Sequence, residues 1–207
     1  MRTILLDRDG VINENRADHV TSWDEFRFLP GALAALRLLT RSDFRIFVIT
    51  NQAIINRGIA TRAVVEDMHD RMVQVARWHG ATIHAVRYCP HRPAEQCACR
   101  KPQPGMLLDL ARSWGFDLRS AYLVGDALSD IEAGRAVGCR SILVHTGRGA
   151  QQAALPQFAL QRPDHSAPHL LGAAQWALQQ EGLTLTSTEA PQRELIVVSA
   201  AEREDWR

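Results

Sequence analysis

Two rhythms of apolar residues alternate along the chain. Short unbroken runs, such as Ile4-Leu5-Leu6, Ile46-Phe47-Val48-Ile49 and Leu123-Val124, read as parallel strands covered on both faces, where no polar side needs to alternate. Between them apolar residues recur at steps of three and four. Leu33, Leu36 and Leu38 or Leu39 form one such set, and Val64, Val65, Met68, Met72, Val75 and Ala76 a second. Met106, Leu107, Leu110, Ala111 and Trp114 form a third. This is the spacing of a buried helix face. Pro30-Gly31 and Pro104 open helices, Thr61 can cap one, and Gly80 and Gly115 end two. Strands are therefore expected over residues 4–6, 45–49, 82–88, 121–124 and 140–144. Helices are expected over 30–40, 61–79, 104–115, 129–137 and, more weakly, 167–180.

Strand–helix alternation with short connections predicts an α/β fold, a doubly wound, Rossmann-like parallel sheet with helices on both sides. Residues 13–29 and 53–60 read as loops near the carboxyl edge of that sheet. One domain is expected over residues 1–181. A polar tail follows over 182–207, in which Leu195-Ile196-Val197-Val198 could add an edge strand or serve as an interaction segment.

Composition narrows the class. The chain has 207 residues, 46% of them apolar, and a formal net charge of +1. That balance argues against a nucleic-acid or membrane-surface protein. No apolar run reaches the length of a membrane span, and Asp7 and Asp9 interrupt the N-terminus before a signal sequence could form. A cytoplasmic monomer acting on a small molecule is the expectation.

The chemistry collects where strands end. Asp7 and Asp9 follow the first apolar run, and at spacing two they can face the same side. Two carboxylates that close favour a bound cation, and oxygen ligands suit magnesium; the other reading is a polar turn closed by Gly10. Thr50, Asn51 and Gln52 follow the second run, Lys101 follows a cysteine-rich loop, and Gly125-Asp126 follows Leu123-Val124 with Asp130 four residues on. Cys89, His91, Cys97 and Cys99 form a complete four-ligand set of the kind that binds structural zinc; a reactive or incidental thiol cluster is the alternative. Cys139 stands apart and reads as a small core residue.

Taken in order, these stretches resemble the four motifs of the haloacid dehalogenase superfamily of phosphohydrolases, over about residues 3–147. Asp7-Arg8-Asp9-Gly10, Thr50-Asn51-Gln52 and the Cys-x-His…Cys-x-Cys-Arg-Lys-Pro loop resemble the subfamily of heptose bisphosphate and histidinol phosphatases. The resemblance implies Asp7 as nucleophile and Asp9 as proton donor and then base. Thr50 and Lys101 would act on the phosphate in catalysis. Magnesium would bind Asp7, the Asp9 carbonyl and Asp126. Asp130 would hold a metal-bound water or, the preferred reading, cap the helix that follows. Substrate contacts are expected from Asn51, Gln52, Arg57 and Arg100.

Many superfamily members carry a lid domain. The gaps from Asp9 to Thr50 and from Thr50 to Lys101 leave no room for one, so the chain is expected to be capless. Two features depart from the heptose type, namely Ala127 where lysine is usual and Ala53-Ile54 where Ser-Gly is usual. The short gap between His91 and Cys97 looks like the histidinol type. The loop arginines tilt the expectation toward a sugar bisphosphate, because guanidinium matches a second phosphate and repels an amine. A phosphate-accepting signalling domain that does not hydrolyse is the competing class, and Asp9 argues against it.

Overall fold

The structure, a computed structural model, describes residues 2–183. Its centre is β1 (Arg2–Leu6), which pairs with β2 (Phe44–Asn51) on one side and β4 (Ala121–Gly125) on the other. With β3 (Ile83–Cys89), β5 (Arg140–Val144) and β6 (His165–Ala167) they form one six-stranded sheet in the order β3-β2-β1-β4-β5-β6, every pair parallel. The connections are α1 (Ala32–Arg41), α2 (Arg62–Trp78), α3 (Gly105–Trp114), α4 (Leu128–Arg135), two short helices α5 (Gly149–Ala153) and α6 (Pro156–Leu160), and α7 (Leu170–Gln180).

The two-residue period of a strand divides the core. Ile4 and Leu6 join Ile46 and Val48 on the face covered by α1, α2 and α7. Leu5 joins Phe47 and Ile49 on the face covered by α3. Each large aliphatic side chain buried in this way contributes about 1.5–3 kcal/mol. Cys139 is buried in the second cluster, as expected.

The expected elements are present with their ends shifted by a few residues, and no lid interrupts them. Several details differ. The outer face of α2 carries Val64, which is exposed, and Val75 is only partly covered. His69 is buried on the inner face beside Val65, Met68 and Met72. Strand β6 and helices α5 and α6 were not anticipated, because three residues reading His-Ser-Ala carry no strand rhythm and the helices span five residues each. The suggested segment Leu195–Val198 lies outside the described residues.

Candidate active site

In the order β3-β2-β1-β4-β5-β6 the chain winds outward from β1 in both directions. The crevice at such a reversal, at the carboxyl ends of the strands, is where open α/β sheets bind ligands. Here β1 delivers Asp7 and Asp9, β2 delivers Thr50 and Asn51, and β4 delivers Asp126.

After β1 the chain turns tightly. The Val11, Ile12 and Asn13 amides all point at the Arg8 carbonyl, at 3.3, 2.8 and 3.1 Å. Gly10 has φ +85°, and any side chain there would strike the Asp126 carboxylate. The loop after β5 closes on this turn. Thr146 Oγ1 donates to the Gly10 carbonyl at 2.7 Å, and the Arg148 amide donates to Asp126 Oδ2 at 2.8 Å. Nothing in the sequence rhythm marks Thr146, since a hydroxyl after a strand is common.

Lys101 is 3% exposed. Its ammonium lies 3.0 Å from Asp7 Oδ1 and 2.6 Å from Asp130 Oδ1, and donates to the Ile49 carbonyl at 2.8 Å. The contact with Asp130 is a fully buried ion pair. Asp130 Oδ2 accepts from the Ala127 amide at 3.1 Å, so this acid caps α4, as preferred from the sequence, and also braces the lysine.

Oxygens of Asp7, Asp126 and Asp130 lie within 4.8 Å of one another. Burial, opposed by Lys101 and reinforced by Asp130, Asp126 and Asp9, pushes the Asp7 carboxyl up to about 7. Asp126 is raised as well, by burial and by Asp130. Asp126 Oδ1 is buried and accepts no hydrogen bond among the described residues, with Arg148 Nη2 3.5 Å away. Crowded acids with an orphaned buried oxygen fit a hard divalent cation.

Asp9 is different. Its carboxylate is not part of the acidic trio and is 22% exposed, against 8% for Asp7. Oδ1 accepts from Arg8 Nε and Nη2 and from Asn13 Nδ2, and Oδ2 accepts from Arg8 Nη2 and Gln52 Nε2, at 2.8–3.2 Å. Burial alone would raise its pKa, but Arg8, Asn13 and Gln52 outweigh burial and lower it. Gln52 also donates to Thr50 Oγ1 at 2.9 Å. The Asn51 amide bridges the backbone of Lys101, donating to its carbonyl at 3.0 Å and accepting from its N–H at 3.1 Å. Both amides are thus engaged inside the protein, where they splint Asp9 and Lys101. The Arg8 guanidinium also meets His69, which burial and the Arg8 charge push down to about 3. From the sequence Arg8 is legible only as a member of the Asp7-Arg8-Asp9-Gly10 stretch, and Asn13 and His69 carry no assigned role. Their partners are set by the fold rather than by spacing along the chain.

The cysteine loop forms its own cluster. Five of the six separations among the Cys89, His91, Cys97 and Cys99 ligand atoms run from 3.2 to 3.5 Å. A tetrahedron with edges of about 3.4 Å has its centre about 2.1 Å from each corner, close to zinc's distances of about 2.0–2.1 Å to nitrogen and about 2.3 Å to sulfur.

Polar contacts tie the rim loops together. Arg57 is exposed and reaches His19 Nε2 at 3.5 Å, while Asn56 donates to Glu95 at 3.0 Å. Arg100 Nη1 donates to the His91 carbonyl at 3.1 Å.

A family model described as HAD-hydrolase-like matches residues 98–173. The chain is 40% identical over 153 residues to D-glycero-beta-D-manno-heptose-1,7-bisphosphate 7-phosphatase of Pseudomonas aeruginosa, covering 74% of this chain and 86% of that one. It is 39% identical over 180 residues to the protein of the same name from Bordetella bronchiseptica, covering 87% and 99%. The crystal structure of D,D-heptose 1,7-bisphosphate phosphatase from B. bronchiseptica, complexed with magnesium and phosphate, matches with a TM-score of 0.82 over 87% of this chain and 99% of that one.

Proposed function

The chain belongs to the HAD-hydrolase-like phosphatases, and from that premise we propose that it removes the 7-phosphate of D-glycero-beta-D-manno-heptose 1,7-bisphosphate through an aspartyl-phosphate. One observation carries the chemistry: a buried carboxylate, Asp7, paired at 3.0 Å with a buried lysine, beside a second carboxylate that reaches solvent two residues on. A phosphate-accepting domain that only stores the group has no use for the second acid. Relatives about 40% identical carry the choice of substrate and disfavour histidinol phosphate.

Asp7 is the nucleophile, and its bond to phosphorus forms as the bond to the sugar oxygen breaks. Asp9 gives that oxygen a proton. It then takes one from water, whose oxygen attacks phosphorus and frees Asp7. The donors from Arg8, Asn13 and Gln52, which lower the pKa of Asp9, favour the carboxylate form that the second half of this cycle needs. Lys101 fixes positive charge beside the transferring group, and the buried Thr50 hydroxyl at the carboxyl end of β2 is assigned to the same phosphate. Asp7, Asp126 and the Asp9 carbonyl would hold magnesium, which would offset charge on the phosphate oxygens. Cys89, His91, Cys97 and Cys99 would hold a closed, structural zinc that stiffens the loop carrying Arg100 and Lys101. Arg57 and Arg100 are assigned to the second phosphate, with Asn51 and Gln52 supporting the reacting one from behind.

Residues 1–181 are the catalytic unit in this reading, which places the enzyme in the cytoplasm as a monomer with neither nucleic acid nor membrane as a partner. No helix among the described residues is long and apolar enough to cross a bilayer. Parallel kinetics with magnesium on the heptose bisphosphate and on histidinol phosphate test the substrate. The bisphosphate should have much the higher kcat/KM, and Arg57→Ala should raise its KM more than it lowers kcat. A preference for histidinol phosphate would overturn the assignment.

A further inference from the structure

Arg8 sits between the two catalytic aspartates, and its side chain is 1% exposed. A guanidinium carries five N–H donors and no acceptor. Burying one therefore demands acceptors along its whole edge. Asp9 supplies one side, facing Nε and Nη2. The other side is met by His69, whose Nε2 lies 3.1 Å from Nη1. Because arginine can only donate, this nitrogen of His69 must accept. The imidazole is therefore neutral, with its proton on Nδ1. The Phe26 ring covers the guanidinium at 5.9 Å. His69 belongs to the middle of α2 and is 4% exposed.

We propose that His69 is a positioning residue for the reaction: through Arg8 it sets the direction of the Asp9 carboxyl, so that α2 aims the group that transfers the proton. Removing the acceptor at position 69 leaves Nη1 as a buried donor without a partner. The guanidinium must then turn toward another acceptor, and Asp9 turns with it or loses its two-nitrogen clamp. Asn13 holds only Oδ1 and Gln52 only Oδ2, each through one nitrogen of a separate side chain, whereas the rigid guanidinium reaches both oxygens at once. This inference rests on the reading of Asp9 as proton donor.

The test uses two aryl esters, p-nitrophenyl phosphate and phenyl phosphate. Nitrophenolate departs with little help, whereas phenolate needs a proton. The value of kcat/KM reports on the steps through phosphoryl transfer, where that help is given. A loss of general packing lowers both substrates alike. A misdirected acid lowers phenyl phosphate selectively. His69→Leu should lose at least about ten-fold more kcat/KM on phenyl phosphate than on p-nitrophenyl phosphate, a fraction of what a general acid contributes. His69→Gln, which restores an acceptor, should return the ratio toward wild type. Should the leucine variant fail to fold, His69→Met against His69→Gln makes the same comparison. Asp9→Asn calibrates the scale. If it lowers both esters equally, Asp9 is not the proton donor and the inference falls with that reading. If Asp9→Asn discriminates between the esters and His69→Leu does not, His69 only packs α2, and the positioning role alone is overturned.

Discussion

Two aspartates two positions apart end in opposite electrostatic surroundings. Asp7 lies among acids with one lysine, and burial carries its pKa upward. Asp9 lies under an arginine and two amides, and is lowered. The substitutions should differ accordingly. Asp7→Asn should abolish turnover, by about a thousand-fold or more for loss of a covalent nucleophile. Asp9→Asn should slow turnover by about 10²–10⁴-fold, the range for an acid–base group, and leave phosphoprotein detectable by intact mass. Near wild-type turnover by Asp7→Asn would remove the nucleophile assignment. His69 makes a separate prediction about stability. Its pKa falls from 6.5 when unfolded to about 3 when folded, so below pH 6.5 the unfolded chain binds a proton that the folded chain refuses. The His69 contribution to stability is therefore lost as pH falls, by about 2 kcal/mol between pH 8 and 5, opposite in sign to the contribution of Asp7. Urea unfolding of His69→Gln at both pH values should lack that increment. At this scale the chemistry was legible where it follows an apolar run directly, as Asp7, Thr50 and Asp126 do. The Arg8–His69 contact was not, because it joins residues 61 apart in sequence. A histidine on a helix face carries no sign of which side chain it will meet.

Among the elements, the cysteine loop and α3 are built as one piece. The Gly105 amide donates to the Ala98 carbonyl at 3.0 Å, and a Cβ at Gly105 would run into that carbonyl. Lys101 is between them in sequence, so displacement at either end reaches the site. Gly105→Ala should cost about 1–3 kcal/mol, the usual range for overpacking, and lower kcat although it touches no reacting atom. Denaturant unfolding and steady-state kinetics on one preparation check both. Cys97→Ala should lose zinc, measured by metal analysis, and lose activity along with it. Unchanged kcat in a zinc-free protein would show that the loop is stiff without the ion. The element order was legible because doubly covered strands must be apolar throughout, as Ile46–Ile49 is. Strand β6 was not, since its three residues lie at the edge of the sheet and Ser166 is exposed.

For the molecule as a whole, the absence of an inserted lid among the described residues puts substrate selection on rim loops tied by His19–Arg57 and Asn56–Glu95. The same frame lets the hydrogen bond from Thr146 to Gly10 join residues 136 apart. The nucleophile is therefore made early in synthesis, while the groups that pin its loop arrive late. A nascent chain that has released only Asp7, Thr50 and Lys101 has neither Asp126 nor the clamp from β5. Its sheet lacks β4, the neighbour that completes β1. Such a chain can carry the reactive carboxylate without a place to use it. Catalysis becomes possible only once both halves of the sheet have closed around β1, so the first turnover by a newly made chain reports that β4 and the loop after β5 have docked.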